Sequence, residues 1–381
     1  MTRFGAVLLI VLNVCVTGIL FAAPAPSPAI DYDRLASSIV RALKPRPGER
    51  VLAQYDPGYF AALLPPLRRR LKEAGAVLAG VLEYSPQGSG EDRSKGFEKL
   101  LAGADIYLWL PLREGQRAVT PPEALALKKW LEAGGVHREI HFHWSQGSVL
   151  DDGLSTVHPD WMDAIYQNAL DIDSAAMAAK QKAAAEMLAK GSVRVATPEG
   201  TDLTFQVGNR PFDRQDGDAS AERARLARVR VDREVELPAG VLRVAPLEQT
   251  ANGRIVVPKA RFGGVVAHNV RFQIAHGVVV RIEASDHLDD VESELAKAGP
   301  AGRRFREFGL GFNPKLQPLT TSDVLPYFGY GEGVVRLSLG DNRELGGAVT
   351  GGDFRRWFFF TDATVEAGGR TLARGGKLLL N

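Results

Sequence analysis

The chain has 381 residues, 45% of them hydrophobic, with 47 Lys and Arg against 45 Asp and Glu for a formal net charge of +2. That length supplies two packed cores, the balanced charge leaves no electrostatic footprint for nucleic acid, and a single cysteine excludes an internal disulfide or a thiolate zinc site.

The first segment reads MTRFGAVLLIVLNVCVTGILFAAPAPSPA: one cation, Arg3, an apolar run from Phe4 to Ala22, then small residues and prolines. This layout predicts a signal peptide over residues 1–25, with A-x-A at Ala23 to Ala25 and a cut after Ala23 also open; an uncleaved anchor is the alternative. The expected destination is outside the cytoplasm, as a periplasmic or secreted protein. Cys15 lies inside the apolar run, and Leu12-Asn13-Val14 lacks the small residues of a lipid-attachment site, so the mature chain has no thiol.

From residue 31 to 190, short β-rich runs alternate with helical patterns: GERVLAQYD then LLPPLRRRLKEAG, VLAGVLEY then FEKLLAG, DIYLWLPL then EALALKKWLEAGG, and finally REIHFHW. Such alternation predicts an α/β domain, a parallel sheet covered by helices, with SPQGSGEDRS as a solvent loop. The alanine-rich stretch from Asp173 to Lys190 predicts a helix ending before Gly191, where the domain boundary is placed. Residues 191–381 change to strands and turns, and only VESELAKAG has helical spacing. The second domain is therefore expected to be mostly antiparallel, β-rich and of α+β type.

Chemistry in such a domain needs polar residues that interrupt apolar strands. Glu248 ends VLRVAPLE before the turn QTANG, and Glu307 lies in RFREFGLGFN; each alone reads as a salt-bridged or solvated carboxylate or as a ligand. TPEGTDLTFQVGNRPF, APLEQTANGRIVVP, RFREFGLGFNP, GEGVVRLSLGD and RRWFFF then follow one another in an order that resembles the dinuclear metallo-aminopeptidases of the aminopeptidase T and AmpS/PepS type. The resemblance covers most of the mature chain, with residues 191–381 equivalent to the family's metal-binding catalytic domain. It implies two metals, such as zinc or cobalt, held in part by Glu248 and Glu307, release of N-terminal amino acids from peptides, and a homodimer.

Four family positions depart from the pattern. Arg336 stands where the resemblance implies a His, Arg356 and Phe358 where it implies a His-x-Asp pair, and Arg343 near a Tyr. Arginine has no lone pair to give a metal and remains a cation, so a Glu/Arg network is expected where metals would sit. No histidine follows His287. The expected protein is thus a non-catalytic or altered-function descendant without a cofactor, whose arginine-lined pocket takes a peptide or a carboxylate-bearing small molecule. The competing expectation is an active aminopeptidase with divalent metal on unrecognised ligands.

His137, His141 and His143 share one strand face and could hold a metal or simply be hydrogen-bonded. His158 falls in a loop, His268, His276 and His287 in or after strands, and Asp286, Asp289 and Asp290 at a helix start. Gly329-x-Gly331-x-Gly333 precedes a strand and reads as a turn; Trp357 to Phe360 reads as a core strand. A periplasmic binding protein would repeat the α/β pattern in both lobes, which the strand-rich second half does not do.

Overall fold

The computed structural model describes residues 30–84, 91–110, 121–142, 144, 146–148, 162–317, 324–326, 329–352 and 354–380. The expected signal peptide with Cys15, together with His143 and His158, lies outside them.

The first half forms a five-stranded parallel sheet in the order Val77–Glu83, Arg50–Tyr55, Ile106–Trp109, Arg138–Phe142, Glu234–Leu237. Both faces are covered, as runs such as Val51 to Tyr55 require. Val51, Ala53, Ile106, Leu108, Ile140 and Phe142 pack with Leu35, Ile39 and Leu43 of the Tyr32–Leu43 helix and with Leu67 and Leu71 of the Leu64–Glu73 helix. Leu52 and Tyr107 pack on the other face with Phe97, Leu101, Leu127 and Trp130, from the Glu91–Ala102 and Pro121–Glu132 helices.

A helix at Ser174–Leu188, capped by the Asp173 side chain, leads past Gly191 into antiparallel structure at Ser192–Ala196. One later strand returns: Glu234–Leu237 pairs in parallel with Arg138–Phe142, so the second half of the chain supplies an edge of the first sheet. The buried Arg138 adds a second tie, gripping Glu49 through two N–H···O bonds of 3.1 and 2.7 Å while its Nε donates to the Ala219 carbonyl at 2.6 Å.

The second half stacks two antiparallel sheets, one of eight strands and one of five. The five-stranded sheet runs Arg355–Phe360, Val335–Gly340, Phe305–Gly311, Val241–Val244, Phe212–Arg214. One of its faces is apolar and meets the larger sheet, with Phe205 against Phe305 and Phe308 and Phe272 against Phe358, all at ring separations of 5.3 to 5.5 Å. Its opposite face carries the charges. No described helix is long and apolar enough to cross a membrane.

Candidate functional site

Cross-strand pairing lays out that charged face in rows. Asp213, Arg243, Gly309 and Arg336 stand opposite one another across four neighbouring strands, so all lie on one face. Two residues along, Glu307, Ser338 and Trp357 form the next row. Gly309 leaves the middle of the first row open, since a Cβ there would already touch the Arg336 side chain at 3.4 Å. A β-bulge between Phe305 and Glu307 breaks the alternation, and the extra residue lets Arg306 as well as Glu307 face the network.

Glu307 is fully buried and accepts Arg243 Nε at 2.8 Å and Arg336 Nη2 at 2.6 Å on one oxygen, while Arg306 holds the other. Arg243 also reaches Asp213 at 3.1 Å and Glu344 at 3.3 Å. Glu344, from the short Arg343–Leu345 turn, in addition meets Arg306, Arg355 at 3.1 Å and Arg230 at 3.4 Å. Arg336 lies over the rings of Tyr330 and Trp357 at 5.5 and 5.3 Å, which adds a cation–π contact to its ion pair.

Burial sets the electrostatics of this cluster, and the neighbours correct it. Desolvation pushes the Asp213 carboxyl up to about 7, against the pull of Arg243 and with Glu236 adding to the rise. Burial would also raise Glu344, but Arg306, Arg355, Arg243 and Arg230 hold it far below the usual carboxylate range. Arg306, stripped of water beside other arginines and supported by Glu344, falls to about 9 and is still a cation at neutral pH.

Glu248 begins a 3-10 turn one layer away. Its Oε2 accepts from Arg210 at 2.6 Å, and its Oε1 from Asn342 Nδ2 at 3.0 Å and the Ala348 backbone N–H at 2.7 Å. Desolvation opposes its ionisation; the Ala348 N–H, Asn342 and Arg210 outweigh it and lower the pKa. Asn342 Nδ2 also donates to the Arg306 carbonyl at 3.4 Å, so a single amide separates Glu248 from the Glu307 network.

Of the arginines singled out from sequence, Arg336 alone pairs with Glu307. Arg356 and Phe358 lie on the reverse, apolar face: Arg356 stacks over Phe262 at 4.3 Å and reaches Glu294 at 3.3 Å. The reason is strand parity, because Ser338 pairs with Trp357 and Gly340 with Arg355, which sends Arg355 and Trp357, rather than their neighbours, to the charged face. Arg343 is half-exposed and pairs with Asp341 at 2.9 Å, apart from Glu307.

Sequence reasoning missed Arg243, Arg306, Glu344 and Asp213. Arg243 carried a signal, a lone cation within Val241-Leu242-Arg243-Val244; the bulge that turns Arg306 inward carried none.

The donor set does not suit a divalent metal. Both oxygens of Glu307 accept guanidinium N–H groups, both oxygens of Glu248 have donors, and an ion at Glu307 would stand among three cations. Among the described residues no group of three or more His, Cys, Asp and Glu is arranged to hold a metal. His141 pairs with Glu139 at 2.7 Å; burial opposes its protonation, but Glu139 and Glu236 keep its pKa raised. His137 Nδ1 donates to the Trp130 backbone carbonyl at 2.8 Å, and its ring stacks on the Trp130 indole. His268 meets Asp286 at 2.8 Å and His287 meets Asp290 at 3.3 Å, while Asp289 and Asp290 lie in the first turn of the Leu288–Lys297 helix. His276 sits with Gly277 in the turn between two strands. Gly329 and Gly333 have positive φ and form the turn into Val335–Gly340.

No family model and no curated protein matches the chain. Among solved structures it is similar to 2,5-dihydroxypyridine dioxygenase from Pseudomonas putida KT2440, with a TM-score of 0.59 and 15% identity over 92% of this chain and 96% of that one. It is also similar to wild-type AmpT, the aminopeptidase T of Thermus thermophilus, with a TM-score of 0.60 and 15% identity over 91% of this chain and 99% of that one. At this identity the likeness is one of fold: the chain has an aminopeptidase-like fold and is similar in fold to the dioxygenase as well.

Proposed function

We propose that this is a non-catalytic, aminopeptidase T-like binding protein that works outside the cytoplasm, with a buried Glu/Arg network where a dinuclear metal site would sit. The observation that carries the reading is the occupation of Glu307 by Arg243, Arg306 and Arg336. Peptide hydrolysis by a two-metal route depends on metal charge to polarise the carbonyl and ionise water, and fixed guanidinium groups cannot lower the pKa of a bound water by coordination. Arginine is instead suited to recognising carboxylates.

The test is elemental analysis of the purified protein together with a panel of aminoacyl anilides assayed with added zinc or cobalt. Substoichiometric metal and no turnover are expected; stoichiometric, tightly held metal with turnover would overturn the proposal. Export rests on the composition of residues 1–25, and N-terminal sequencing of protein recovered from the extracytoplasmic fraction checks it. The homodimer implied by the resemblance belongs to the same proposal, and sedimentation at micromolar concentration tests it.

A further inference from the structure

The three arginines singled out from sequence do not together form a pocket, but Arg343 lines one beside five other cations. A cleft of about 510 Å³ opens between the Pro121–Glu132 helix, the Arg230–Arg233 turn and the Arg343–Leu345 turn, on the solvent side of Glu344. Its walls carry Lys128, Arg228, Arg230, Arg233, Arg343 and Arg355.

Three carboxylates also line it, Glu132, Asp341 and Glu344, and all are already engaged. Glu344 is shared among Arg230, Arg243, Arg306 and Arg355. Asp341 takes Arg343 Nε at 2.9 Å and the backbone N–H groups of Arg343 and Gly351 at 3.0 and 3.1 Å. Glu132 lies 3.9 Å from Lys128. Among the described residues that line the cleft, six cations stand against three acids, and Arg230 has a further partner in Glu234 just outside the lining.

These cations are held to different degrees. Arg233 has no carboxylate partner among the described residues; its Nη1 donates to the carbonyls of Gly135 and His137 at 3.1 and 3.0 Å, which fixes the guanidinium. Arg228 likewise has no carboxylate partner among the described residues, and its Nη2 makes only a long 3.4 Å bond to the Asn209 carbonyl. Arg343 uses Nε on Asp341, with its side chain 52% exposed. Partial burial lowers the pKa of Arg233, against the opposing pull of Asp232. Guanidinium forks match carboxylate and phosphate oxygens, and the fixed Arg233 loses little freedom on binding.

We infer that this cleft binds a compact polyanion, a small molecule or short peptide carrying at least two carboxylate or phosphate groups. The inference rests on the non-catalytic reading above and names its ligand class. The volume suits a small-molecule ligand, and the apolar lining is limited to Leu131, Ala227 and Val229, so charge rather than hydrophobic contact provides recognition.

Calorimetric titration of the purified full chain in metal-free buffer, at about 150 mM salt, tests it. The probes are citrate, a triglutamate peptide and inorganic pyrophosphate, with glycerol as the neutral control. Saturable one-to-one binding to at least one anion is expected, and which anion binds tightest separates the carboxylate source from the phosphate source. Arg228→Gln combined with Arg233→Gln should weaken that binding about tenfold or more, the loss of charge-assisted contacts. Arg343→Gln, at a half-exposed side chain, supplies the same readout should the double variant fold poorly. No saturable heat with any anion, or affinity unchanged in the folded variants, would overturn the inference. Such a failure removes the cleft alone, because the metal and turnover assays judge the non-catalytic reading without reference to anion affinity.

Discussion

Glu307 carries the negative charge on which three guanidinium groups converge, so Glu307→Gln keeps the shape and leaves Arg243, Arg306 and Arg336 facing one another. Breaking one side of a buried ion pair costs about 3–5 kcal/mol, and a loss of that size is expected in denaturant unfolding. A loss under ~1 kcal/mol would mean that water screens the network. Asp213 gives a pH signature of opposite sense to that of an ordinary ion-paired carboxylate. Its folded pKa of about 7 lies above the unfolded value near 3.8, so the native state holds the extra proton between those limits and stability falls as pH rises through that window. Asp213→Asn should flatten the slope by on the order of 1 kcal/mol per pH unit, measured as unfolding free energy from pH 4 to pH 8. Glu344 runs the other way: its lowered pKa stabilises the fold above the usual glutamate range, and this is lost progressively as pH falls below the unfolded value of 4.5.

At the scale of elements, the strands and helices were legible because their patterns are unambiguous: β-rich runs alternate with amphipathic stretches up to Leu188, and strands with glycine turns follow Gly191. The site was legible only in part. Arg336 is placed by its neighbours in VVRLSLG, whereas Arg356 faces away from Glu307, because RRWFFF has cations on both parities and the apolar pattern alone does not choose between them. Pairing of Ser338 with Trp357 makes the choice. Phe358→Asp would therefore set a carboxylate against Phe272 in the core and cost about 3 kcal/mol or more of stability, without approaching Glu307. A turn controls the other carboxylate: Gly277 has φ of +74°, its N–H bonds the Ala251 carbonyl at 2.8 Å, and a Cβ there would collide with the Glu248 carbonyl oxygen. Gly277→Ala is expected to destabilise by about 1–3 kcal/mol. An unfolding midpoint unchanged from that of the parent would contradict the close packing of this turn against Glu248.

For the whole molecule, the two halves that composition separates at Gly191 share a sheet and a continuous hydrophobic core. The sequence offered no sign of this, since EVEL is a short segment whose parallel partner lies far upstream and whose periodicity fits any strand. A fragment of residues 30–190 would lack Glu234–Leu237 and the Ala219 carbonyl that anchors Arg138, and it should show no cooperative unfolding by calorimetry, whereas the intact chain is expected to melt in one transition. Two resolved transitions in the intact chain would refute that coupling. The same strand also dictates a timetable. A chain made from its N-terminus presents Arg138–Phe142 with an open edge until Leu237 has been added, roughly 95 residues later, which at ~5–20 residues per second is about 5–20 s. Throughout that interval the nascent sheet displays unpaired N–H and C=O groups that another strand could capture, so holding the unfinished chain apart from its copies becomes a requirement of its synthesis.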